Sequence, residues 1–147
     1  MKDLFDIQGK VFIVTGGAGL LGVQHAVAIA GKNGIPVLLD INASKLEIAT
    51  DKLKKKLNVQ AFGVQCDITS ESEIEKKYQL IIDRFGRIDG LINNAANNLK
   101  MHMGDTPPIT RLEEFPLDVW REDFDVSVTG AFLCSRIFGN HMAENNG

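Results

Sequence analysis

Within Thr15-Gly16-Gly17-Ala18-Gly19-Leu20-Leu21-Gly22, three glycines (Gly16, Gly19 and Gly22) fall at three-residue steps. Asp40 follows about 20 residues on, the spacing of a dinucleotide-binding pattern. The chemistry this could do is the capture of a diphosphate. Glycine suits each place for a physical reason: a tight turn off a strand, a backbone without Cβ where a pyrophosphate approaches, and close packing of helix on strand. A helix opening at Leu20 and Leu21 would turn unpartnered N–H groups and a partial positive charge toward the anion. Asp40, with Ile41 beside it, would accept hydrogen bonds from the hydroxyls of an adenosine ribose and repel a 2′-phosphate. Gly17, Ala18, Ile41 and Asn42 offer no cation to neutralise that phosphate, so NAD is favoured over NADP. The plainer readings are a glycine-rich turn with no ligand and a solvated acid at a strand end. A strand before the loop and a helix after it weigh against them.

The other polar residues support little rival chemistry. His25, His102 and His141 stand in separate segments without an i, i+4 partner, which points to no metal site. Cys66 and Cys134 match no metal or redox spacing and read as two reduced, buried thiols. Sixteen basic against nineteen acidic residues leave a net charge of −3, the wrong sign for a binder of nucleic-acid backbone. The start Met1-Lys2-Asp3-Leu4-Phe5-Asp6 puts acids where a signal peptide needs a basic and then an apolar run. No apolar stretch approaches the ~20 residues of a membrane span, so the expected place is the cytoplasm, away from membranes.

The elements that must position the loop and the acid are legible in the periodicity. At 147 residues with 44% hydrophobic and 24% charged, the chain has the length of one domain, which buries roughly two thirds of its unfolded surface. Lys10 to Thr15, Pro36 to Asp40, Ala61 to Gln65 and Arg87 to Asn93 are short apolar runs that suit buried parallel strands. Between them lie a helix from Leu20 to Lys32, a helix opening at Asn42-Ala43-Ser44 with Leu46, Ala49, Leu53 and Leu57 on one face, and a helix capped at Ser70. Glu73 stands at the capping-box spacing from Ser70, and Ile74, Tyr78, Ile81, Ile82 and Phe85 form that helix's stripe. Ala95 to Pro116 reads as a long loop. A last helix runs from about Leu117 toward Glu144, with Trp120, Phe124, Val128, Ala131 and Phe132 on one side and Gly130 marking a bend or a close contact. Strand and helix alternating four times predict an α/β fold: a Rossmann-type parallel sheet with helices on both faces, in a single domain over 1–147.

Four stretches resemble the short-chain dehydrogenase/reductase family in order and spacing: Thr15 to Gly22, Cys66-Asp67-Ile68-Thr69, Asn93-Asn94-Ala95-Ala96, and Asp125-Val126-Ser127-Val128-Thr129-Gly130. The likeness covers essentially the whole chain. It implies a nicotinamide dinucleotide on the sheet, with Asp67 bonding the adenine amino group and Ile68 against that ring. Asn94, Ala95 and Ala96 would pass beside the cofactor ribose, an asparagine side chain tying neighbouring strands. Three positions depart from the family pattern. Ala96 replaces a glycine. Leu20 stands where the common loop has Gly or Ala, giving the Gly-x-x-Gly-x-x-Gly spacing of extended relatives. Ser127 stands where the family has an asparagine that holds a kinked backbone and a proton-relay water. The tail from Leu112 through Phe138 also looks like members concerned with flagellin or surface-sugar modification.

Family members carry an active Ser and a Tyr-x-x-x-Lys pair on a fifth strand and the helix after it. The only tyrosine here, Tyr78, lies on the stripe of the third helix with no lysine four places on, and Gly147 stands at the turn before a fifth strand would begin. No catalytic residue is assigned. The resemblance therefore implies the NAD-binding portion of an oxidoreductase moving hydride between a nicotinamide and a small-molecule alcohol or carbonyl. Alone it should be inactive, a sheet truncated after the fourth strand and helix, from a homo-oligomeric parent (dimer or tetramer) about twice as long. The fourth strand would then be an open edge. The alternative is a stand-alone nucleotide-binding or structural module without catalysis, and the coding sequence after Gly147 discriminates the two.

Overall fold

The computed structural model of the chain describes residues 6–57, 59–97 and 111–146. Four strands form, β1 (Val11–Thr15), β2 (Ile35–Asp40), β3 (Phe62–Gln65) and β4 (Gly90–Ile92). They lie in one parallel sheet of order β3-β2-β1-β4. The helices between them are α1 (Leu20–Ala30), α2 (Ala43–Leu57) and α3 (Glu71–Phe85). After a 3₁₀ turn at Leu112–Glu114 come α4 (Leu117–Phe124), a π-helical stretch at Asp125–Gly130 and α5 (Ala131–Asn146).

Alternation along the strands divides two apolar layers, as a sheet covered on both faces requires. Val11, Ile13, Val37, Leu39 and Val64 face Ile74 and Ile81 of α3 and Leu133, Cys134 and Phe138 of α5. Val14 and Leu38 face Ala26 and Ile29 of α1 and Leu46, Ala49 and Leu53 of α2. The expected stripes of α2 and α3 are thus the faces that pack; Leu57's side chain, His102 and most of the expected Ala95–Pro116 loop lie outside the described residues.

Three local expectations differ from what forms. The fourth strand is only Gly90–Ile92: ahead of it the Asp89 carboxylate accepts the Val11 N–H at 2.8 Å and the Arg87 guanidinium, and Arg87 to Asp89 take no regular structure. The capping box at Ser70 does not close: the Glu73 carboxylate instead accepts the Asp67 N–H at 2.7 Å, and Ser70 makes no side-chain cap. The last helix is continuous but widens into π geometry at Asp125–Gly130. There Gly130 allows the close contact expected of it, since a Cβ would stand 2.7 Å from the Ile68 side chain.

Candidate dinucleotide-binding site

The chain leaves β1 through Gly16, whose φ of +61° is left-handed and sterically open to glycine alone at little cost. A Cβ on Gly16 would also meet the Ala95 backbone at 2.9 Å, and one on Gly22 would overlap the Gly16 carbonyl oxygen. The glycines therefore let α1 start tight against the end of β1. Gly19 is the N-cap of α1 and supplies no side-chain cap, and no acid stands in the first turn. That turn's N–H groups have no acceptor within the helix, and its dipole is not offset by a carboxylate of its own. The N-terminus of α3, by contrast, carries Glu71 and Glu73.

The order β3-β2-β1-β4 makes the chain switch direction across the sheet between β1 and β4, and ligands of open α/β sheets bind in the crevice at that switch, beyond the strands' carboxyl ends. A cavity of about 470 Å³ lies at this position. Gly16, Gly19, Leu20 and Leu21 line it from the β1 side, Asp40 and Ile41 from the end of β2, Asp67 and Ile68 from beyond β3, and Asn94, Ala95 and Ala96 from beyond β4. Of the residues expected at a binding site only Gly22 is not in the wall; its place is in the packing of α1 on the loop. Leu39, Cys66, Asn97 and Val126 also line the cavity and were not expected. Leu39, Cys66 and Asn97 adjoin residues that were, so proximity to the motif could have found them. Val126 reaches the cavity from the far helix through the π-helical stretch; it adjoins Ser127 in the fourth of the family-like stretches, which was the signal that could have found it.

Asp40, Asp67 and Asn94, polar side chains of the crevice, already have work within the fold. Asp40 Oδ2 accepts the Ala18 N–H at 3.0 Å and Oδ1 the Asn42 N–H at 2.9 Å, so the acid at the end of β2 also clamps the glycine loop. Carboxylate oxygens have further lone pairs for ribose hydroxyls. Asp67 Oδ1 accepts the Thr69 N–H and hydroxyl at 2.9 and 2.7 Å. Asn94 Nδ2 donates to the carbonyls of Thr15 and Gly16 at 3.0 and 3.2 Å, tying the end of β1 to the chain after β4 as expected of that stretch. Buried Thr15 completes the tie, its hydroxyl oxygen accepting the Asn94 and Ala95 N–H groups at 3.0 and 3.1 Å. Asn93 Nδ2 donates to Ser135 Oγ at 2.9 Å and so anchors α5 to the strand end.

Elsewhere, Tyr78 packs into the core beside Phe138, with its hydroxyl 3.0 Å from Nδ1 of the buried His141; neither Tyr78 nor His141 lines the crevice. Cys66 and Cys134 are free and buried in one core layer. Burial pushes the Cys66 thiol up to about 11, with Glu73 adding to it, and pushes Cys134 up to about 12.

The parallel sheet, its two helical layers and a glycine-walled crevice at the switch point define a Rossmann-type α/β protein. A family model described as short chain dehydrogenase matches residues 10–147. The chain is 34% identical over 145 residues to the 5-keto-D-gluconate 5-reductase of Escherichia coli (strain K12), covering 98% of this chain and 53% of that protein. It is 32% identical over 147 residues to sorbose reductase sou1 of Schizosaccharomyces pombe, covering 98% and 54% respectively. Among solved structures, NAD⁺-bound xylitol dehydrogenase is similar with a TM-score of 0.82 and 31% identity, over 95% of this chain and 50% of that one. The chain belongs to the short-chain dehydrogenase/reductase family. It spans about half the length of the curated relatives it matches. No helix among the described residues is long and apolar enough to cross a membrane.

Proposed function

We propose that the crevice binds NAD and that the whole protein is an NAD-dependent oxidoreductase moving hydride between the nicotinamide and a small-molecule alcohol or carbonyl. The carrying observation is the uncapped N-terminus of α1, free of acids, opening on the same cavity as Asp40. The residues fit a dinucleotide: the glycine turn lets α1 begin tight against the end of β1, the first-turn N–H groups of Leu20, Leu21 and Gly22 suit its diphosphate, and Asp40 suits a ribose diol. Asp67 and Ile68 would hold the adenine, and Asn94 to Ala96 the ribose nearer the nicotinamide. When bound, the cofactor supplies the hydride acceptor; the chain's part is to orient it and keep water from it.

The preference for NAD rests on Asp40, whose charge opposes a 2′-phosphate, and on the lack of Lys or Arg among the described lining residues. Calorimetric titration of the chain with NAD and NADP tests it. NAD should bind more tightly, and equal or tighter binding of NADP would overturn the reading of Asp40. The 147 residues hold no Tyr-x-x-x-Lys, so a polypeptide of these residues should reduce no NAD with a panel of polyols and other alcohols, the substrates suggested by the similar sugar and polyol enzymes. A module that binds the nucleotide without using it is the second reading. Turnover by a longer product of the gene decides against it.

The whole protein is proposed as a cytoplasmic homo-oligomer, a dimer or tetramer. Support comes from the outer face of α4 and its continuation, where Trp120 stacks on Phe124 with ring centres 4.2 Å apart and Val128 and Phe132 stay exposed. Such contiguous apolar faces are covered in stable proteins. Sedimentation should show a species larger than a monomer, and a monomer at all concentrations would refute the assembly.

A further inference from the structure

Leu20 is the first residue of α1 and 84% exposed, yet it lines the crevice beside Gly16 and Gly19. Every Cα–Cβ bond of a helix leans toward its N-terminus, so a side chain on the first residue projects past the free N–H groups instead of away from them. The described walls hold two carboxylates, Asp40 and Asp67, and no cationic side chain. Attraction for a diphosphate therefore comes from N–H groups and the helix dipole, and neutral donors of this kind hold an anion better as water is removed. Leu20 and Leu21 are the large apolar side chains of that first turn, and Leu20 is the more exposed of the two.

We infer that Leu20 is an affinity-determining flap, whose side chain closes over the diphosphate of a bound dinucleotide and excludes water from the α1 N-terminus. This rests on the dinucleotide reading above and adds to it that affinity for the phosphate portion has an apolar component set by one side chain. The flap contributes twice: Leu20 loses its own exposure to water, and the N–H groups beneath it face the anion in a drier surrounding.

Binding of NAD, ADP-ribose and adenosine to the chain, to Leu20→Ala and to Leu20→Met tests the flap. Leu20→Ala should weaken NAD and ADP-ribose about tenfold, the loss expected for removing roughly 60 Å² of apolar cover. Leu20→Met should restore binding to within about threefold, because it keeps apolar bulk. Adenosine, which has no phosphate, should bind all three proteins alike. Melting temperatures without ligand should coincide, since the side chain is exposed and alanine suits a helix. Undiminished NAD binding by Leu20→Ala overturns the flap, as does an equal loss of adenosine, which would mark a general disturbance of the crevice. Failure of the unaltered chain to bind NAD or ADP-ribose would overturn the dinucleotide reading and the flap together, whereas tight binding indifferent to position 20 would overturn the flap alone.

Discussion

At the scale of single residues the glycines separate by what surrounds them. Gly22 has the Gly16 carbonyl and the Gly17 backbone where a Cβ would go, and these are main-chain atoms that cannot swing aside. Gly22→Ala should cost about 1–3 kcal/mol of stability in urea unfolding, the range for overpacking, and weaken nucleotide binding as α1 is pushed off the loop. Gly139, in α5, meets nothing within 4 Å. Gly139→Ala should therefore stabilise by about 0.5–1 kcal/mol, since alanine loses less backbone freedom in a helix. If both substitutions behave alike, the account of the loop's close packing is wrong. Asp40 shows why a residue type alone understates a role: its spacing suggested a ribose acceptor, while the fold also makes it the clamp of the glycine loop through Ala18.

At the scale of elements, the two ends of the β1–β4 pair are fastened by different chemistry. Near the site the tie is neutral, Thr15 and Asn94 exchanging hydrogen bonds with backbone. At the far end it is ionic, with Asp89 accepting Val11 N–H while Arg87 pairs with the same carboxylate. Burial raises the Asp89 carboxyl, but the Arg87 guanidinium and the Val11 N–H outweigh it and hold the group below the ordinary aspartate range. A lowered acid contributes stability above its unfolded pKa and loses it as pH falls through the folded value. Asp89→Asn should thus cost about 1 kcal/mol at pH 7, a cost that shrinks below about pH 4. Urea midpoints at several pH values measure this, and a pH-independent difference would exclude the ionic tie. The α4–α5 helix carries the other element-scale lesson: its π-helical stretch turns Val126 toward the crevice while leaving Ser127 exposed.

Over the whole molecule, both thiols sit in the layer between the sheet and the α3–α5 pair, and burial keeps them protonated near neutral pH. They should react slowly with Ellman's reagent at pH 8 and rapidly in urea. Because the ordinary thiol value of 9.0 is raised to about 11 in Cys66 and about 12 in Cys134, the unfolded chain loses these protons first. Stability should accordingly fall as pH rises above about 9. A Cys66→Ala, Cys134→Ala variant should show a shallower alkaline decline, and identical slopes would refute the contribution. The same layer contains the Tyr78–His141 contact, with His141 Nε2 buried and unpartnered among the described residues.

What the sequence determined by itself was the order of elements and the corners of the site. Apolar runs of strand length, stripes at three- and four-residue steps, and glycines at places no other residue fits are local constraints, each readable where it stands. The tertiary structure alone decided how far local signals would be honoured. Glu73 had a capping partner in Ser70 by spacing, but the Asp67 N–H was brought closer by the turn after β3 and took the carboxylate. Arg87 and Asp89 looked like strand and became a pin between strands, since the carboxylate could reach Val11 only once β1 and β4 lay side by side. Val126 entered the crevice from a helix far along the chain. Hydrogen-bond partners and cavity walls are chosen among groups that folding makes neighbours, and no periodicity along the chain records which distant groups those will be.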